Sequence, residues 1–450
     1  MSRMNLALAI TAIVALLITN IDASTIHNQG QWTHIKQNIK HVIYLMMENR
    51  SFDHIAGFWK FHPGIDNLAN LKTPFCNEYT NPNWTVWGEP LMICAKPYEA
   101  EVPLKDPDHA FAGVSYQIYR KWDPTKTDVP NMGGFIERQS EQYQETPGEA
   151  SYFAEHPGST NPNRQFATSG SSCGFVDSTT QSVGFFRNTT GMTCAKSIFE
   201  SLSNKGITWK NYYESVTADA WLYKWTQDNA LDHLVHADQL FRDLEEGTLP
   251  QFSYYNPECC NVTSMHPKSN MAAGEQMIKH LYDAVRNSQY WDNVLIVINF
   301  DEHGGFADHV TPPVDIPVPE DGISFSGISE NHNITYDFSR LGVRVPAFLI
   351  SPWIPANTLI HDQGTMYEHN SAYTHTSILH FIQELWDLEG LNNRVQWAKT
   401  FEYVFSDRKR TNTPTNLTAP TWYGGRGGTQ PYPFYLLNQP YSYYASIGAI

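Results

Sequence analysis

In HVIYLMMENRSFDH, residues 41–54, the apolar side chains Val42, Ile43, Leu45, Met46 and Met47 give way without a turn residue to Glu48, Asn49, Arg50, Asp53 and His54. VLIVINFDEHGGFADHVTPP, residues 294–313, repeats the pattern: the run from Val294 to Phe300 delivers Asp301, Glu302 and His303, and Gly304-Gly305 then lets the backbone turn tightly. Continuous apolar runs of this length read as strands covered on both faces. Open α/β sheets place ligands at the carboxyl ends of their strands, so two such strands would bring Glu48-Asn49 and Asp301-Glu302 to one rim. Three carboxylates and an amide gathered there would repel unless a cation sat between them. Hard oxygen donors suit magnesium, calcium or manganese, and carboxylates also serve zinc. The expectation is therefore one divalent metal ion held by Glu48, Asn49, Asp301 and Glu302. A single acidic pair at a strand end is as often an exposed terminus or a helix cap. Here both pairs abut apolar strands and both are followed by histidine. His303, Asp308 and His309 lie close enough along the chain to support the ligands from behind. Arg50 could orient Glu48, bind phosphate or pair with Asp53.

The elements that must position these residues follow from periodicity. Strands are predicted at 41–47, 206–212, 251–255, 293–300 and 343–350, several of them separated by helical patterns, which gives an α/β fold with a mostly parallel central sheet and helices on both faces. In SIFESLSNKG, Ile198, Phe199 and Leu202 mark one helix face and Gly206 stands where the helix should stop. Met277, Ile278, Leu281 and Val285 mark a second helix leading into the strand at 293. Residues 56–170 are rich in Pro, Asn and Gly and are expected to be irregular excursions over the sheet edge, and the last 40 residues a wrapped or mobile tail. One catalytic domain, residues 24–400, is expected between a leader at 1–23 and an extension at 401–450.

Composition narrows the function. The chain has 450 residues, 41% hydrophobic and 17% charged, enough for a substantial core. With 30 basic against 46 acidic side chains the net charge is −16, which would repel nucleic acid and an anionic membrane at long range. The N-terminus has one Arg, an apolar stretch from Leu6 to Ile18 and a small residue at Ala23, the pattern of a signal peptide and too short to span a bilayer. Nothing after it is apolar for long enough to cross, so the mature protein is expected to be secreted or lumenal. Six cysteines in an oxidising compartment favour disulfides, Cys76 with Cys94 and Cys173 with Cys194 by proximity; Cys259 and Cys260 could bridge each other or reach elsewhere. Sequons at Asn83, Asn188, Asn261, Asn333 and Asn416 suit an N-glycosylated exported chain, whereas Asn49-Arg50-Ser51 matches formally but should be buried.

The motifs MMENRSFDH, STNPNR at 159–164, MHP at 265–267 and FDEHGGFADHVTPP, followed in order by RVPAFLISPWI and HTSIL, resemble the phosphoesterase family of non-specific and bacterial phospholipases C and related acid phosphatases, over roughly residues 38–390. The resemblance implies an alkaline-phosphatase-like fold and metal-assisted hydrolysis of phosphate esters through a hydroxyl nucleophile. It makes Glu48, Asn49, Asp301 and Glu302 the metal ligands and Thr160 the nucleophile. His109 in DPDHAF, His266 in MHP and His375 in THTSIL would line the phosphate and leaving-group side, His266 being the first choice for proton transfer. Without the resemblance, Thr160 in PGSTNPN is explained by turn chemistry alone. The motif spellings lie closer to the phospholipase C branch, which cuts phosphodiesters, than to acid phosphatases, which cut monoesters. Residues 60–160 depart from the family pattern, and substrate-choosing loops would sit there. No basic amphipathic helix is evident, so zwitterionic phospholipid or soluble phosphoesters fit better than an anionic surface. An inactive secreted binding protein on the same scaffold is the alternative of a different class, although every expected metal and nucleophile position carries a competent residue.

Overall fold

The computed structural model describes residues 23–60, 62–79, 85–86, 89–97, 106–142, 153–178, 191–214, 218–257, 263–267, 269–320, 322–360 and 371–421. The leader to residue 22, Cys259, Cys260, the sequons at Asn83, Asn188 and Asn261, and the tail beyond 421 lie outside the described residues.

Six strands form the central sheet: β1 His41–Met47, β2 Trp209–Tyr213, β3 Leu234–His236, β4 Phe252–Asn256, β5 Val294–Phe300 and β6 Ala347–Ile350. Their spatial order is β6-β5-β1-β4-β2-β3, parallel throughout except for β6, which runs antiparallel to β5. β1 and β5 pair in register from His41 opposite Val294 to Met47 opposite Phe300, so both strands end at the same height.

The apolar runs are continuous because each face is separately covered. Val42, Tyr44 and Met46 of β1 pack with Phe199 and Leu202 of the helix α3 (Ile198–Lys205) and with Leu379 and Ile382 of α5 (His375–Trp386). The alternate residues Ile43, Leu45 and Met47 pack with Met277, Leu281 and Val285 of α4 (Met271–Arg286). β5 divides in the same way, Leu295 and Val297 on one side and Ile296 and Ile298 on the other. With one or two residues exchanged at the ends, the alternation of a strand is thus converted into two cores.

Four of the expected strands shift at their ends for local reasons. Gly206 closes α3 at φ 76°, which moves the start of β2 from 206 to 209. The expected strand at 343–350 shortens to 347–350 because Pro346 has no N–H for the ladder. The shifts at 251 and 293 are single residues. The three-residue strand β3 carries no periodicity that could announce it.

The stretch from 56 to 170 requires a larger correction. It holds helices at Phe111–Tyr119 and Phe135–Gln142, the helix α2 at Thr160–Ser169, and a small antiparallel sheet whose strands Cys76–Tyr79 and Glu89–Cys94 are joined by a Cys76–Cys94 disulfide. Phe111, Val114 and Ile118 are fully buried, an apolar face obscured in the sequence by the surrounding Pro, Asn and Gly. The Cys173–Cys194 bridge forms as proximity suggested. The start of the extension is packed: Pro414 accepts from the Tyr282 hydroxyl at 2.7 Å and Leu417 lies against the α4 side of the core. Asn333 and Asn416 are exposed, and Asn49 is buried as expected. Among the described residues no helix is long and apolar enough to cross a membrane.

Candidate active site

Where β1 and β5 end side by side, the chain makes two tight turns that interlock. Asn49 adopts φ 54°, a left-handed conformation that asparagine tolerates better than most residues. Its N–H donates to Asp301 Oδ1 at 3.1 Å, and the Glu302 N–H donates to the same oxygen at 2.8 Å. Gly304 and Gly305 follow at φ 65° and 76°, and a Cβ on Gly304 would lie 2.4 Å from the Asn49 carbonyl oxygen. Only glycine lets the second loop settle on the first, so Glu48, Asn49, Asp301 and Glu302 meet at one rim.

A third element closes on this rim. Arg164, one turn along α2 from Thr160, places Nε 2.9 Å from Asp301 Oδ2, with Glu48 Oε2 at 3.6 Å and Asp219 Oδ1 at 3.7 Å. Thr160, the half-buried first residue of α2, lies one helical turn before this guanidinium. The loop before Thr160 is shaped by Asn163, whose amide donates to the carbonyls of His156, Gly158 and Ser159. Neither Arg164 nor Asp219 was singled out from sequence, although Arg164 stands inside the quoted motif STNPNR.

His109 and His266 form the partly open side. In each, Nδ1 donates to a backbone carbonyl, Pro107 at 2.7 Å and Pro267 at 3.0 Å, leaving Nε2 on the side of the site; burial pulls the His109 imidazole down, but Glu302 and Asp106 raise it to about 10. His109 Nε2 lies 3.5 Å from Asn49 Nδ2 and 3.8 Å from Glu302 Oε1. Asp106 joins the two rings, 3.7 Å from His109 Nδ1 and 3.6 Å from His266 Nε2. It too was missed, its only signal being the acidic spelling of DPDHAF. His375 is placed differently: it is fully buried, its Nδ1 accepts the Glu155 N–H at 3.1 Å and its Nε2 donates to the Phe300 carbonyl at 2.9 Å. Nε2 thus holds backbone at the end of β5 and Nδ1 the backbone of Glu155, and neither faces the open side. His303 donates from Nε2 to Gln117 at 2.8 Å, with Nδ1 3.6 Å from Glu302. Among the described residues Arg50 makes no ion pair with Asp53 or Glu48. It is fully enclosed, its guanidinium stacks 4.8 Å from the Phe306 ring, and it makes no hydrogen bond among the described residues.

Burial pushes the Glu48, Asp301 and Glu302 carboxyls above their ordinary range, opposed by Arg164 for the first two and by His109 for the third. Burial also lowers His266, keeping its imidazole neutral. Carboxylates packed this closely are stable only with compensating positive charge; among the described residues Asn49 Oδ1 and Glu302 Oε1 are buried with no hydrogen-bond partner, the latter 3.8 Å from His109 Nε2. Hard, unpartnered oxygens on two adjacent strand ends are a donor set that fits a divalent cation.

A mostly parallel sheet with acidic side chains gathered at two adjacent strand ends is the layout of an alkaline-phosphatase-like hydrolase of phosphate esters. The chain belongs to the phosphoesterase family, whose profile matches residues 39–389. It is 31% identical over 425 residues to Non-specific phospholipase C4 of Arabidopsis thaliana, covering 85% of this chain and 74% of that protein. Non-specific phospholipase C1 of the same plant is 32% identical over 426 residues, with the same coverage. Hemolytic phospholipase C of Pseudomonas aeruginosa is 25% identical over 401 residues, covering 77% of this chain and 52% of that protein.

Behind the rim lies a second charged cluster. His309 Nδ1 bonds to Asp53 Oδ2 at 2.5 Å and its Nε2 lies 3.3 Å from Asp66 Oδ1, while Arg344 Nε donates to Asp308 Oδ1 at 2.9 Å. Burial pulls the imidazole down, yet the bonds to Asp53 and Asp66, with Asp308 nearby, raise it to about 9. A histidine raised above its unfolded value of 6.5 contributes stability that is complete below that pH and is lost as pH climbs through about 9. Asp308, pushed up to about 8 mainly by burial, acts in the same direction, because its ionisation is penalised on folding. Denaturant titrations should therefore show unfolding free energy falling by on the order of 2 kcal/mol between about pH 7 and 10. His309→Asn should flatten that slope, and an unchanged slope in the variant would remove His309 as its source.

Proposed function

We propose that the protein is a secreted phosphoesterase of the phospholipase C type, cutting phospholipid phosphodiesters through a covalent phosphothreonine on Thr160 with the help of one divalent ion. The observation that carries this reading is the convergence of Glu48-Asn49 and Asp301-Glu302, two of their oxygens without a hydrogen-bond partner among the described residues, on Arg164 of the helix that begins at Thr160. An ion held by those four residues would favour the alkoxide of Thr160 and offset charge on the phosphoryl oxygens.

The chain's own residues account for the rest. Thr160 Oγ1 attacks phosphorus and the bond to the glycerol oxygen breaks. The neutral His266 imidazole takes the threonine proton at Nε2 and passes it to the departing oxygen. In the second half it takes a proton from water, the water oxygen attacks phosphorus, the bond to Thr160 breaks, and the proton returns to Oγ1. One water is consumed per ester cut. Asp106 holds His109 and His266 toward the reacting atoms, and Arg164 fixes Thr160 against the rim. His375 positions the Phe300-Asp301 backbone. The names of the plant and bacterial relatives support a phospholipase C activity, and two disulfides with an apolar leader support export.

The test is turnover of para-nitrophenylphosphorylcholine and para-nitrophenyl phosphate before and after chelation. Diester turnover lost to chelator and restored by added metal is expected. Turnover of the monoester alone would make the protein an acid phosphatase, and no turnover by metal-loaded protein would favour a binding role.

A further inference from the structure

We propose that Arg344 is a positioning residue that sets the metal affinity of the site by clamping together the two loops that carry its ligands, an inference that rests on reading Glu48, Asn49, Asp301 and Glu302 as those ligands. The clamp lies outside the rim. Asp53 follows Asn49 by four residues, in the short helix α1 (Phe52–Ala56), and Asp308 follows Glu302 by six. Arg344 comes from a third segment, just before β6. Its Nε bonds Asp308 at 2.9 Å, Nη1 bonds Asp66 at 3.2 Å and Nη2 approaches Asp53 at 3.7 Å. Its carbonyl accepts the Phe52 N–H at 3.3 Å, and the guanidinium lies 5.7 Å from the Phe52 ring. The Ser51 hydroxyl also donates to the Ala307 carbonyl at 3.2 Å, so the two loops touch along their length.

Asp53, Asp308 and His309 present ligand atoms within 4.8 Å of one another, which invites a second metal. Arg344 and the doubly bonded His309 already fill that place with positive charge, so the cluster is a brace. Its need follows from the rim itself: without a cation, Glu48, Asp301 and Glu302 push the two loops apart. A planar fork that reaches three carboxylates on three segments opposes this in a way a lysine point charge cannot. Supports of this kind typically change metal affinity 10–100-fold.

The experiment titrates the metal-free full chain with MnCl2, and again with CaCl2 and ZnCl2, by calorimetry. Wild type is expected to bind one ion. Arg344→Met should weaken binding by about 10–100-fold, Arg344→Lys should lie between, and turnover at saturating metal should return to within about fivefold of wild type. Asp66→Asn, at an exposed position that removes one arm only, should weaken binding by about threefold and provides the reading if Arg344→Met does not fold. Circular dichroism and denaturation of the metal-free variants separate weaker binding from a damaged fold. Wild-type affinity in both the folded Arg344 variants and Asp66→Asn would overturn the clamp while leaving the ligands standing. A wild-type chain that binds no ion would overturn the ligand reading and the clamp with it.

Discussion

Thr160→Ala is expected to lower phosphodiester turnover by about 10^4-fold while leaving metal binding and the unfolding midpoint close to wild type. The hydroxyl sits at the first position of α2, half-buried, with no hydrogen-bond partner among the described residues, so its loss removes little that holds the fold. Intact-mass measurement of acid-quenched protein during turnover should show a phosphorylcholine adduct on wild type and none on the variant. Thr160→Ser should retain measurable activity, because the attacking oxygen is kept. If Thr160→Ala keeps more than about a tenth of wild-type turnover, the covalent route fails and direct attack by water takes its place.

Legibility from sequence tracked how much of each residue's environment is local. β1 and β5 were readable almost to the residue because strands buried on both faces are nearly all apolar, Asn299 apart, and acidic side chains begin directly where they end. That both ends meet is a long-range fact, supplied by the parallel pairing of Met47 with Phe300. Arg164 and Asp219 were invisible as site residues because an arginine in a polar helix and an aspartate in a short turn are ordinary on a surface. Burial and convergence on Glu48 and Asp301 give them their meaning. His375 shows the reverse: a histidine in a recognised motif that the fold turns inward to hold backbone. The helix at Phe111–Tyr119 was hidden by composition, since windows rich in Pro, Asn and Gly average away a short apolar face.

Glu302→Gln should separate a ligand from a structural carboxylate by moving stability and function in opposite directions. Glu302 is fully buried, one oxygen accepts the Gly304 N–H and the other, Oε1, has no hydrogen-bond partner among the described residues. Its carboxyl is raised well above the usual range by burial, so at neutral pH the folded metal-free chain bears a penalty that the unfolded chain does not. A neutral amide of the same shape removes that penalty and keeps an acceptor for Gly304. Metal-free Glu302→Gln is therefore expected to be more stable than metal-free wild type by about 1 kcal/mol, in line with the gain often seen when buried charge is neutralised. The same change removes a hard ligand, so the added stability conferred by metal, about 2.7 kcal/mol for wild type at a hundredfold excess over Kd, should largely disappear. Diester turnover should fall by about 10^3-fold or more. Calorimetric melts with and without metal, alongside the turnover assay, read all three effects. A variant that is less stable without metal and still gains wild-type stabilisation from it would show that Glu302 holds the loop and not the ion, leaving Glu48, Asn49 and Asp301 to bind it without their neighbour.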